Sequence, residues 1–202
     1  MAVLDLLIVK STSAELLFYI WMLSTVSIAS WNVRGISDNA IKREHLVNDS
    51  KLYNFDIVCL QETKCRLFEE QEIERYKLIL LEQSKSHHYG LGFLICPSLV
   101  QYIVSWKSIS GRVAYIDFRV PTRNGTFNSF RLINAYGPTM KLASDDPKEI
   151  DTFYRNLRKA KKIPARHDLL YIGGDFNSRL GRRTIGDCSS GMGYFMGKEN
   201  GF

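Results

Sequence analysis

The hydrophobic positions change their period several times along the chain, and each change marks an element. "VSIASWN", from Val26, reads as a strand. Asp38 to Tyr53 reads as a helix that turns Ile41, Leu46 and Leu52 inward and leaves Lys42, Arg43 and Glu44 to water. "DIVCLQE" carries an unbroken apolar run, the mark of a strand buried on both faces, and a charged helix is predicted from Arg66 to Arg75. In the middle, "KLILLE", "YGLGFLIC", "LVQYIVSWKSI", "RVAYIDFRV" and "TFNSFRLINAY" are strand-like runs divided by Gly, Pro, Ser and Asn, which predicts an antiparallel meander. A helix returns at "DDPKEIDTFYRNLRKAKK", where Asp146 caps, Pro147 fits the first turn and Glu149 completes a capping box. Its buried stripe is Ile150, Phe153, Tyr154 and Leu157, and "DLLYIGGD" follows as a further strand. Helices at both ends with a strand-rich centre predict an α/β fold of two packed sheets covered by helices.

The first residues stand apart from this pattern. Leu16 to Trp31 carries no charge, but as a helix its 16 residues would span roughly 24 Å, short of the ~30 Å hydrocarbon core of a bilayer. Asp5 and Glu15 suit a signal peptide badly. Residues 1–25 are therefore expected to be an unrelated hydrophobic leader, and 26–202 one domain, with no stable membrane association.

Composition narrows the class. The chain has 202 residues, 45% hydrophobic and 12% aromatic, enough for a real core in one domain. Charged residues are 24%, so neither disorder nor a fibrous repeat fits. The net charge of +6 points to an anionic partner, and residues 155–166, "RNLRKAKKIPAR", hold six basic residues and no acidic one. Such a run is either a solvated helix face or a surface for a phosphate backbone. Cys59, Cys65, Cys96 and Cys188 show no CxxC pair and no zinc spacing, so free thiols are expected, with Cys59 in the core. Free thiols suit a reducing compartment, nucleus or cytoplasm rather than secretion.

Three apolar strands end in oxygen-bearing side chains. "SIASWN" ends in Asn32, "DIVCLQE" in Glu62 and "DLLYIGGD" in Asp175, with Asn177 just beyond. The carboxyl edge of an α/β sheet is where sites collect, although Asp and Asn also cap turns and helices. Carboxylate and amide oxygens without Cys or His pairs suit a hard cation such as magnesium, with manganese as a substitute. Glu62 is the candidate ligand. Asp175 is placed to orient or deprotonate an attacking water, and Asn32 and Asn177 to hydrogen-bond phosphate oxygens, which together describe metal-assisted phosphodiester hydrolysis.

At these residues the chain resembles a known family. "SWNVRG", "DIVCLQETK", "NAYGPT" and "GGDFNSRLG" occur in the order and near the spacing of the endonuclease/exonuclease/phosphatase superfamily. The likeness runs from about Val26 to Phe202 and is greatest to the endonuclease domains of non-LTR retrotransposons and their abasic-site relatives. The resemblance implies a four-layer α/β sandwich, DNA as substrate, a metal ligand at Glu62, a water-orienting acid at Asp175, phosphate contacts at Asn32 and Asn177, and a phosphate-facing phenol at Tyr136. The Gly137-Pro138 pair independently stops the strand and holds the Tyr136 ring at the sheet edge, though the chain has ten tyrosines and most such residues are core. Lys64 matches a basic position beside the metal in the abasic-site enzymes, and Lys64, Arg34 and Arg179 are the candidate phosphate or DNA contacts. In a full-length parent element the implied partner is a reverse transcriptase.

Two departures from the family pattern alter the expectation. Arg34 stands where abasic-site enzymes carry an acid, which removes one metal carboxylate. The family's last motifs, a strand bearing an Asp and a Ser-Asp-His ending, have no counterpart before Phe202, and His45, His87, His88 and His167 do not match that histidine. The sequence therefore predicts a sandwich lacking its C-terminal strands, and weak turnover or none. Two other readings stand beside the nuclease: a nucleic-acid-binding remnant without catalysis, and a phosphatase or lipid phosphodiesterase of the same superfamily.

Overall fold

The computed structural model describes residues 26–81, 89–121, 126–139, 146–163 and 168–177; Arg179, His87, His88, His167, Cys188 and the leader 1–25 lie outside the described residues. The first sheet holds β1 (Ile28–Asn32), β2 (Ile57–Gln61), β3 (Glu69–Ile73), β4 (Tyr76–Leu80) and β5 (Leu91–Ile95), in the order β1-β2-β5-β4-β3. The second holds β6 (Ile103–Ser110), β7 (Val113–Pro121), β8 (Phe127–Tyr136) and β9 (Leu169–Asp175), in sequence order. Three helices are described: α1 (Ala40–Leu52), the short α2 (Pro97–Val100) and α3 (Pro147–Lys162).

Both sheets are mixed. β1 pairs with β2 in parallel after the α1 crossover, and β8 with β9 in parallel after α3, whereas β2–β5, β3–β4, β4–β5, β6–β7 and β7–β8 are antiparallel. The expected meander is thus divided, its first strands finishing one sheet and the others building the second. Side chains of β7 alternate faces: Ala114, Ile116 and Phe118 join the core between the sheets, while Val113 and Tyr115 pack under α3 with Phe153 and Ala160. β2 is buried at every position, as its unbroken apolar run requires. Cys59 lies in that core, and burial raises its thiol pKa. It and Cys65 and Cys96 are free.

Two polar clusters fix the arrangement. Between the sheets, Gln61 Nε2 donates to Asn134 Oδ1 at 2.8 Å, Asn134 Nδ2 donates to the carbonyls of Leu60 and Gly92 at 3.0 Å, and Ser30 Oγ donates to Gln61 Oε1 at 3.1 Å. With its hydrogen-bonding groups satisfied, this buried cluster stabilises one sheet register over others. Under α3, the buried Arg131 guanidinium holds both Asp117 oxygens at 2.7 and 2.8 Å and donates to the carbonyls of Ala160 and Ile163 at 2.8 and 2.9 Å.

The structure corrects four local expectations. Arg66 to Arg75 forms no helix: Glu69–Ile73 is an edge strand joined to β4 by Glu74 and Arg75, both at positive φ (48° and 71°). That is the two-residue hairpin turn usually signalled by Asn-Gly, and its absence hid the hairpin. On α1, Ile41 and Leu52 are exposed (67% and 71%), while Arg43 is buried, held by the carbonyls of Ile36 and Ser37 and by Glu69 and Gln71 of β3. Leu99 and Val100 belong to α2, so the next strand starts at Ile103. At α3, Asp146 accepts from Lys148 N, but the Glu149 carboxylate turns to Arg112 at 3.7 Å instead of closing a capping box, and Tyr154 is exposed. Among the described residues no helix is long and apolar enough to cross a membrane.

Candidate active site

The carboxyl ends of β1, β2, β8 and β9 meet where the two sheets face each other. β1 and β9, at corresponding edges of the two sheets, are in direct contact. Backbone bonds clamp the loops that leave them: Val33 N to Gln61 O at 2.9 Å, Gly35 N to Glu62 O at 2.6 Å, Lys64 N to Tyr89 O at 2.9 Å and Gly137 N to Asp175 O at 2.7 Å. Arg34, Glu62, Lys64 and Asn177 all take positive φ, between 49° and 57°. For non-glycine residues that conformation costs about 1 kcal/mol or more each and persists only where surrounding bonds enforce it.

This edge gathers five of the sequence-predicted side chains. Asn32 Nδ2 donates to Glu62 Oε1 at 2.7 Å and to Asp175 Oδ2 at 3.4 Å, the latter across 143 residues of sequence. Tyr136 Oη donates to the same Glu62 oxygen at 2.8 Å. Asp175 Oδ1 accepts from Asn177 N at 2.9 Å, and Asn177 Nδ2 donates to the Gly137 carbonyl at 2.8 Å. Turn capping and site building are here done by different atoms of one residue. Asn32 Oδ1 accepts from Arg34 N at 3.3 Å, and its amide nitrogen faces the carboxylates; Asp175 caps its turn with Oδ1 and offers Oδ2 to Asn32.

Tyr136 is the buried member of the group. Burial raises its phenol pKa above the ordinary value, and the hydrogen bond to Glu62 and the charges of Glu62 and Asp175 raise it further, against a smaller lowering by the Asn177 side chain. The phenol is therefore a neutral donor, and its single proton points to Glu62 Oε1.

Arg112 is the site residue that sequence patterns missed. It ends the turn that leads into β7 and is buried, with its guanidinium 3.9 Å from the Tyr89 ring centroid and 5.2 Å from that of Tyr136. Its Nη1 donates to the Tyr136 and Gly137 carbonyls at 3.3 and 3.1 Å, and Glu149 of α3 lies behind it. A lone arginine before a strand carries no sequence signal for this role. Lys64 and Arg34 are exposed on the two clamped loops, and neither side chain forms an ion pair among the described residues. His45, on α1, is exposed and bonds to none of the site side chains.

The donor set suits a hard cation. It consists of two carboxylates and two carboxamides, and both donors on Glu62 use Oε1, so Oε2 has no hydrogen-bond partner among the described residues. Among those residues no three His, Cys, Asp or Glu side chains gather as a metal cluster. An ion that retains several waters and takes oxygens from substrate phosphate fits such a sparse set; zinc in a closed site does not.

The chain was compared with known proteins. Craniofacial development protein 2 of Bos taurus is 24% identical over 174 residues, covering 86% of this chain and 28% of the relative. That of Tragulus javanicus is 23% identical over 174 residues, covering 86% and 29%. This chain spans under a third of the length of those curated relatives. Among solved structures, the catalytic domain of Xenopus laevis APE2 superposes with a TM-score of 0.54 at 17% identity, covering 75% of this chain and 58% of that one. AP endonuclease LMAP from Leishmania major gives 0.51 at 16%, covering 73% and 54%. These likenesses show a shared fold, in agreement with the two mixed sheets and flanking helices. The model of the Endonuclease/Exonuclease/phosphatase family matches residues 29–194, which take in the described strands except Ile28 at the start of β1, and the whole carboxylate edge, and the chain belongs to that family.

Proposed function

We propose that this chain is a magnesium-dependent phosphodiester hydrolase that nicks DNA, an endonuclease of the abasic-site type originating in a non-LTR retrotransposon. The observation that carries the reading is the Asn32 amide set between Glu62 and Asp175, which puts two acids from opposite sheets on one nitrogen. Family membership supports hydrolysis, and two structural neighbours are an AP endonuclease and an APE2 catalytic domain.

Magnesium, with manganese as a substitute, would be held by Glu62 and would neutralise charge that gathers on the phosphorus oxygens. Asp175, its carboxylate fixed through Oδ1 by the Asn177 amide, orients the attacking water with Oδ2 and takes its proton. Asn32 keeps the two acids together and limits their repulsion. Asn177 uses one amide hydrogen on Gly137, leaving the other for a phosphate oxygen. Tyr136 either holds Glu62 or donates to phosphate, because a phenol has one proton. Lys64 and Arg34 attract the substrate backbone from the rim. In a full-length parent element the partner would be a reverse transcriptase.

Supercoiled plasmid incubated with magnesium tests the reading. The chain should yield nicked circles slowly, and Glu62→Gln should lower the rate by about 10²-fold or more. Equal nicking by Glu62→Gln, or no nicking by the unmodified chain, overturns it.

A further inference from the structure

The basic run that the carboxylate site does not use becomes a defined surface once α3 is placed. Arg155, Arg158, Lys159 and Lys162 recur at helical spacing and fall within roughly 100° of arc. They point away from Phe153, Leu157 and Ala160, which pack on the second sheet. All four cations are exposed and border an open concavity of about 480 Å³ floored by Ile163. None of the four is in an ion pair among the described residues. The two acids of the helix, Glu149 and Asp151, lie in its first two turns.

Lysines at a helix C-terminus often serve the helix itself by bonding its last carbonyls. Here Arg131 already takes the carbonyls of Ala160 and Ile163, so that function is filled from inside. The surface is also distinct from the carboxylate edge. Phe153 packs beside Phe176 at the site end of α3, and the helix then runs back toward Arg131, in the middle of β8. The apolar side of α3 is occupied by the sheet, which leaves no amphipathic face to enter a bilayer boundary.

We propose that the outer face of α3 binds the phosphate backbone of nucleic acid, as a second contact separate from the Glu62–Asp175 site. The claim does not depend on catalysis, because binding is read without turnover. Fluorescence anisotropy of a labelled DNA duplex of about 20 base pairs provides the test, with salt varied from about 0.05 to 0.2 M. The variant is Arg158, Lys159 and Lys162 each →Gln; Arg155, which bonds to Thr152, is retained. Glutamine has nearly the helix propensity of the residues it replaces, and circular dichroism confirms the fold. The charge-matched control is Lys51, Arg66 and Arg75 each →Gln, all exposed and on the side of the first sheet.

The α3 variant should bind about tenfold or more weakly, with the slope of log affinity against log salt shallower by about two to three. The control should retain most of its affinity. Equal losses in variant and control would mean net charge alone and overturn the proposal. So would absence of DNA binding, or binding to phosphatidylserine vesicles, and not DNA, that depends on the same three residues.

Discussion

Tyr136 donates its phenolic proton to Glu62 Oε1 at 2.8 Å, from the end of one sheet to the loop that leaves the other. The pair joins the sheets at the candidate site and keeps the phenol neutral. Because burial and the Glu62 carboxylate raise its pKa above about 10, the folded chain holds this proton more tightly than the unfolded chain. The contribution is fully present below pH ~10 and is lost as pH rises through the folded value, at up to about 1.4 kcal/mol per pH unit. Tyr136→Phe should cost about 1 kcal/mol at neutral pH and show a shallower alkaline decline. Urea midpoints at several pH values above about 9 check this, and parallel curves for the two proteins would refute it.

Magnesium should stabilise the fold if Glu62 holds it. At ten times its dissociation constant, a bound ion adds about 1.4 kcal/mol, which thermal unfolding with and without a chelator can read. Glu62→Gln should remove most of that shift, because an amide cannot supply the same charge. An equal magnesium shift in that variant would place the ion elsewhere.

How much of this was legible in the sequence depends on how far each signal is local. The convergence of Glu62 and Asp175 was legible because each ends an apolar strand, and the carboxyl ends of strands in two packed sheets meet where the sheets face each other. Asn134 and Gln61 were not, since a buried amide pair shows no periodic pattern and each looks like a polar interruption of a strand. Charge alone assigns Arg43 to water, yet backbone carbonyls and Glu69 draw it in. β3 reads as a helix because acidic residues are common on exposed helices and equally serviceable on an edge strand, where they discourage pairing with another chain. Its Glu74–Arg75 turn lacks the usual residues.

Gly174 should tolerate no side chain. It has φ 139°, and a Cβ placed there would lie 1.9 Å from the Ala135 carbonyl oxygen, a backbone atom of the paired strand. Gly174→Ala must push β9 away from β8 immediately before Asp175. The expected loss is several kcal/mol, and any soluble protein should have lost nicking, since Asp175 would leave Asn32. Gly173 has open space around its would-be Cβ and provides the control: Gly173→Ala should change the urea midpoint little. Equal stability of the two variants would contradict the β8–β9 register.

Arg112 should act on Tyr136 without touching substrate. Its guanidinium lies against the Tyr89 and Tyr136 rings and holds the carbonyls of Tyr136 and Gly137, so it sets where the phenol and the following turn sit. Arg112→Gln leaves these carbonyls with a shorter, uncharged donor, and stability should fall by about 1 to 3 kcal/mol. Loss of stability alone would fit any buried arginine. Positioning makes a narrower claim: kcat for nicking should fall by about tenfold or more while KM changes little, because the phenol is displaced and the substrate-facing rim is not. Arg112→Lys should restore charge but only part of the rate, since an ammonium cannot stack flat on a ring while bonding two carbonyls. A variant with reduced stability and unchanged kcat would make Arg112 a structural residue only, and full rescue by lysine would show that charge, not the planar fork, is what the site requires.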